Sequence, residues 1–179
     1  MQRSDIVVTP WHTRYLGRRM AHALGRGGIT RAKVEGDGAT PAGVHHIAGL
    51  WFRPDRIAAH SLPRWAKPIG PRDLWSDDSA DPDYNHPVRA PHPYRHECLR
   101  RADRLYDIVL VTDWNYPQSR PGLGSAIFLH RWRAPGTPTA GCVAYAAGDL
   151  LHIAQHAQPG TQLIIMGQAP FQNALDAVI

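Results

Sequence analysis

Cysteine is nearly absent from this 179-residue chain, with Cys98 and Cys142 the only two. Two thiols cannot build the disulfide framework of a small secreted scaffold. Lysine is as scarce, limited to Lys33 and Lys67, so arginine carries the formal net charge of +5. No basic run exceeds Arg18-Arg19 or Arg100-Arg101, and no nucleic-acid motif accompanies them. The charge therefore implies a basic surface, and no nucleic-acid partner is expected. No apolar stretch approaches the roughly 20 residues that a membrane span requires. Residues 1–14 also lack the apolar segment of a signal peptide, which leaves the compartment open.

Glycine and proline, in contrast, are plentiful at 16 each, above their usual shares of about 7% and 5%. Turns and loops should dominate over long helices. A hydrophobic fraction of 43% and a charged fraction of 20% suit a globular core, and the length suits one domain over residues 1–179. The β-rich segments Asp5–Thr9, Val44–Ile47, Tyr106–Trp114, Ser125–His130 and Thr161–Met166 read as strands, and Tyr15–Leu24 as another. The glycine-dense stretch from Lys33 to Gly43 reads as a turn between strands. Apolar spacing over Asp149–Ala157 predicts the one clear helix. Residues 53–97 hold eight prolines, which forbid long helices and interior strands. The aromatics Trp65, Trp75, Tyr84 and Tyr94 favour an ordered loop region there over a linker. The expectation is a mostly-β (α+β) domain with long Pro-rich loops.

Cys142 follows Gly141 in "TAGCVA", between a Pro/Thr loop and the predicted helix. A thiol attacks as thiolate and needs a base beside it. His130 ends the "SAIFLH" strand twelve residues earlier, a spacing that a hairpin-like return would close. Gly141 would let the backbone approach a substrate carbonyl, so that N–H groups around Cys142 form an oxyanion hole. Spacing alone equally allows a buried thiol near a hydrogen-bonded strand-end histidine. The metal alternative is weaker. His152 and His156 have i, i+4 spacing, but no Glu follows His152 and no third ligand is placed. His45-His46 would point to opposite faces of a strand. Neither metal nor cofactor is expected.

The "IFLH…TAGCVA" pattern resembles the L,D-transpeptidase catalytic domain of the YkuD family. Ala140 and Ala144 depart from the family pattern, which usually has His and then Arg or Asn at those positions. A compact proteobacterial branch is similar over more of the chain. It shares "LGRGG", "KVEGDGATPAG", "WSDD…DPDYN", "E…RADRLYD" and "GSAIFLH…PTAGCVA", from Leu24 to Ala144.

The resemblance implies a β-sandwich-like domain and a peptidoglycan L,D-transpeptidase. Cys142 would be the nucleophile, His130 the general base and acid, and Gly141 part of the oxyanion hole. Thr139, Arg131, Tyr84, Asn85 and His96 are the candidate substrate contacts. Donor and acceptor would be peptidoglycan stem peptides, with 1,3 L-Ala–meso-diaminopimelate links slightly preferred over 3,3, and a carbapenem would acylate the thiol. A carboxypeptidase or endopeptidase with water as acceptor, and a non-catalytic wall-binding module, remain open. This function places the chain in the periplasm.

Overall fold

A computed structural model of the chain describes residues 2–167; residue 1 and residues 168–179, the ends of the expected domain, lie outside the described residues. Among the described residues the principal sheet has ten strands, nine in one hydrogen-bonded order and a tenth, Lys67–Pro68, paired parallel with the end of Gly43–Phe52. Its spine is the long strand Gly43–Phe52, flanked by Ile108–Thr112 on one side and Gln162–Ile165 on the other. Beyond Ile108–Thr112 follow Phe128–Arg131, Val143–Tyr145 and His22–Ala23. Beyond Gln162–Ile165 follow Ile6–Val8, Thr13–Tyr15 and Arg18–Met20.

The strands at the two ends of this order, Arg18–Met20 and His22–Ala23, are separated in sequence only by Ala21. One intervening residue spans at most about 7 Å, so the two edges must meet and the sheet curls nearly closed. The expected single strand over Tyr15–Leu24 is therefore corrected to two edge strands plus a turn. Leu16 (φ 48°) and Gly17 (φ 83°) turn the chain between Thr13–Tyr15 and Arg18–Met20.

Period-two alternation distributes side chains to two cores. Along the wholly buried strand Ile108–Thr112, Ile108 and Leu110 enter one core, and Val109 and Val111 the other. The first core is closed by the helix Ala147–His156 through Leu150, Ile153 and Ala154. The second joins Trp75, Leu99, Tyr106, Phe128 and Cys142, and the Pro-rich segment covers it.

That segment is ordered, as its aromatics suggested. The expectation that its prolines forbid an interior strand is corrected: Asp73–Ser76, in the proline-free stretch between Pro71 and Pro82, is paired on both sides, with Pro87–Arg89 and with His96–Cys98, in a three-stranded sheet. Asp81, 5% exposed, ties it together by accepting from Ser76 Oγ, from the Asp83 N–H and from His92 Nε2. The glycine-dense turn is also largely as expected, with one short parallel pairing of Ile29–Thr30 and Thr40–Pro41 inside it.

Candidate active site

His130 and Cys142 are not joined by the hairpin-like return expected from their spacing. The strands Phe128–Arg131 and Val143–Tyr145 run parallel, with Leu129 opposite Val143 and His130 opposite Ala144. The loop between them carries the chain back to the start of the first strand instead of reversing it. Because side chains alternate, Leu129 and Val143 fall into the helix-side core, whereas His130 and Cys142 share the other face. They are diagonal neighbours there, with only the methyl of Ala144 opposite the histidine. Both line one cleft of about 640 Å³.

Cys142 is buried, and its thiol makes two hydrogen bonds. It donates to the Ala126 carbonyl at 3.1 Å and accepts the Phe128 N–H at 3.4 Å. His130 Nδ1 lies 2.7 Å from the Arg131 carbonyl. A carbonyl only accepts, so Nδ1 carries the proton and Nε2 keeps its lone pair. The ring packs edge-on against Tyr106, centroids 5.3 Å apart.

Burial pushes the His130 ring down to about 4, with the Arg101 guanidinium adding to the effect and the Arg131 carbonyl opposing it. Burial likewise pushes the Cys142 thiol up to about 12; Glu97 raises it further, while the Phe128 N–H and Lys33 pull it down. Both groups are therefore neutral at rest. In a Cys98→Ser background, alkylation of Cys142 by iodoacetamide should accelerate continuously from about pH 6 to about pH 10, because the reactive thiolate is still a minor species there. A rate that levels off below about pH 8 would disprove the neutral pair. On the acid side His130 stays unprotonated, and so able to act as base, until the pH falls to about 4.

Two glycines bring distant segments onto the cysteine turn. Gly141 has φ +140°, and a Cβ there would lie 2.9 Å from the Ala39 carbonyl oxygen. A Cβ on Gly25 would lie 2.2 Å from the Gly38 oxygen and 3.0 Å from Gly141 Cα. Around this contact the Thr139 N–H donates to the Leu24 carbonyl, and the Arg26 N–H to the Thr139 carbonyl, each at 2.9 Å. The motifs "LGRGG", "EGDGATP" and "PTAGC" are thus one packed backbone junction.

Of the expected substrate contacts, only Thr139 lines the cleft. Its hydroxyl already accepts the Gly141 N–H at 3.1 Å and donates to the Cys142 carbonyl at 2.7 Å, clamping the turn. The Gly141 N–H, expected to face an oxyanion, is thereby engaged at rest. Arg131 is half-buried and does not line the cleft, whereas Arg133 does. His96 is exposed outside it.

Tyr84 and Asn85, 1% and 2% exposed, lie behind the cleft wall. Asn85 Oδ1 accepts from Trp75 Nε1 and from the Ala126 N–H, each at 2.9 Å, and Nδ2 donates to the carbonyls of Trp114 and Asn115. It therefore fixes Ala126, whose φ of +51° sets the carbonyl that receives the thiol. The Tyr84 hydroxyl donates to Glu35 Oε2, as does Ser125 Oγ at 2.7 Å.

The reading of single residues missed Arg26, Lys33, Glu35, Glu97, Arg101 and Tyr106, all of which line the cleft. Each belongs to one of the shared motifs, and that was the available signal. His152 and His156 rings stand 4.5 Å apart on the helix. Among the described residues, no group of three or more His, Cys, Asp or Glu is arranged to hold a metal.

No curated protein matches the chain. A solved structure of an L,D-transpeptidase from Mycobacterium smegmatis is similar with a TM-score of 0.42 and 11% sequence identity, over 91% of this chain and 59% of that one. The chain thus spans less than two thirds of that structure's length. Residues 10–165 match the L,D-transpeptidase catalytic domain, YkuD. With a mostly-β fold and a cysteine and a histidine in one cleft, the chain belongs to the YkuD L,D-transpeptidase catalytic domain family.

Proposed function

We propose that this chain is a peptidoglycan L,D-transpeptidase that works through a thioester on Cys142. The observation that carries the reading is the parallel pairing that sets Cys142 and His130 on one face of the sheet, with His130 Nδ1 spent on a backbone carbonyl and Nε2 left as base.

The thiol proton passes to His130 Nε2 as Sγ attacks the carbonyl of an L-residue in a donor stem. Because both groups are neutral at rest, transfer and attack proceed together, and no stable thiolate forms first. The oxyanion is held by backbone N–H groups of the turn at Gly141 and Cys142; Gly141 exchanges its bond to Thr139 Oγ1 for the substrate oxygen. The C–N bond breaks, and the departing D-residue amine takes the proton from His130. An acceptor amine from a second stem then displaces Cys142 and forms the cross-link.

The departures at Ala140 and Ala144 favour 1,3 over 3,3 links. With alanine opposite His130, no long polar side chain crowds the dyad. Arg26, Arg101 and Arg133 in the cleft suit the carboxylates of stem peptides. The substrate places the active enzyme outside the cytoplasmic membrane, in the periplasm. Both cysteines are free, as a thiol enzyme in an oxidising compartment requires.

The test is muropeptide mass spectrometry on diaminopimelate-type sacculi incubated with the purified protein. New dimers are expected, with fragmentation assigning a 1,3 bond. Shortened stems without dimers would make it a hydrolase instead. A carbapenem is expected to leave a covalent mass adduct on Cys142.

A further inference from the structure

The cleft carries three acidic residues, Glu35, Asp77 and Glu97, and two of them are committed to the fold. Glu35 accepts from the Tyr84 hydroxyl, from Ser125 Oγ and from the Gly36 N–H. Asp77 is paired with Arg95 at 3.1 Å. Glu97 is different. It sits in the middle of His96–Cys98, where its two neighbours are exposed and it is turned inward. Its Oε2 takes a long bond of 3.4 Å from the Tyr106 hydroxyl. No donor among the described residues reaches Oε1.

Arg101 does not require Glu97 as a partner. Its guanidinium is bidentate to Asp103 at 2.9 and 2.7 Å, while Glu97 stands 3.8 Å away. Tyr106 links Glu97 to the dyad, since its hydroxyl meets the carboxylate and its ring packs on His130. The carboxylate is felt at the thiol, which it makes harder to ionise. A half-buried carboxylate that opposes the nucleophile and has unused lone pairs needs another purpose.

We propose that Glu97 is the acceptor-side base, binding the incoming ammonium and taking its proton before the amine attacks the thioester. This rests on the transpeptidase reading above. A primary amine with an ordinary value of about 10.4 arrives protonated at neutral pH and has no lone pair for attack. R–NH3+ gives one proton to the Glu97 carboxylate, leaving R–NH2 and a carboxylic acid. The amine lone pair forms the C–N bond, and the C–S bond breaks. His130 Nε2 takes the second proton from the attacking nitrogen and passes it to the departing sulfur. Glu97 then returns its proton to solvent. Burial and the nearby Asp77 raise the Glu97 carboxyl above its usual range, against Arg101, Tyr106 and Arg95, which makes it a better proton acceptor than a solvated carboxylate.

Glu97→Gln preserves shape and the bond to Tyr106 but removes the base. Wild type and variant would be compared in two assays: the rate of carbapenem adduct formation, which reads acylation alone, and dimer formation from soluble diaminopimelate stem peptides. Glu97→Gln should acylate within about threefold of wild type, yet form dimers about 10²-fold more slowly, the scale of one general base. Raising the pH from about 7 to about 9.5 should recover much of that loss, because the amine then deprotonates unaided. Glu97→Asp should lie between the two. Equal losses in both assays, unchanged dimer formation, or a deficit that pH does not relieve would each overturn the proposal. A wild type that forms adduct but no dimers would instead overturn the transpeptidase reading.

Discussion

Cys142→Ala is expected to form no new muropeptide dimers on sacculi, with turnover reduced at least about 10³-fold. No other described nucleophile stands where the thiol does. Cys98 is exposed and bonds within its own loop, to the Arg100 carbonyl. His130 without the thiol has nothing to deprotonate except water. The substitution is small: it removes the sulfur's bonds to Ala126 and Phe128, at a cost of about 1 kcal/mol. The variant should therefore stay folded, with a melting temperature lower by only a few degrees. Sacculus pull-down alongside the mass spectrometry separates loss of chemistry from loss of binding. Binding retained with dimers abolished supports an acyl-enzyme. If Cys142→Ala forms dimers like the wild type, the thioester mechanism is wrong.

Gly25→Ala carries the second large effect, although Gly25 touches no substrate in this mechanism. Its added methyl would sit 2.2 Å from the Gly38 carbonyl oxygen and 3.0 Å from both the Ala39 carbonyl carbon and Gly141 Cα. All three are backbone atoms, so no flexible side chain can step aside. The expected destabilisation is about 3 kcal/mol or more, a drop of roughly 6–12 °C in melting temperature for a domain of this size. Activity should fall further than stability, because the strain is delivered to the turn that sets Cys142. Gly28→Ala supplies the contrast within the same motif. A Cβ there meets nothing within 4 Å, and only its φ of +72° opposes the change, at about 1 kcal/mol. Calorimetry on the two variants is decisive: equal melting temperatures would show that the backbone junction is not what holds the turn.

Much of this molecule was determined locally. The buried strand Ile108–Thr112, the helix Ala147–His156 and the strand Gln162–Ile165 are long enough, and regular enough in apolar spacing, to be read from the chain. So was the ordered Pro-rich segment, since four aromatics in a loop need somewhere to be buried. Cys142 stood out because a rare residue beside a glycine, with a histidine at the end of the preceding strand, is a chemically specific pattern.

What only the tertiary structure decided is how that pattern is assembled. Spacing cannot distinguish a hairpin from a parallel return, because the register is chosen by which face each strand buries; here Leu129 and Val143 must both enter the helix-side core. Tyr15–Leu24 could not be divided from sequence, since its break depends on the two edges of a curled sheet meeting around Ala21. Tyr84 and Asn85 looked like loop residues free to meet a ligand, yet their bonds are made to Glu35 and Ala126, 49 and 41 residues away in sequence. Glu97 stood out in sequence only as the first residue of the "E…RADRLYD" motif, and the strand pairing that turns it inward is what gives it a place in the cleft that holds the thiol. Residue type supplied the chemistry, and long-range packing supplied the distances over which that chemistry acts.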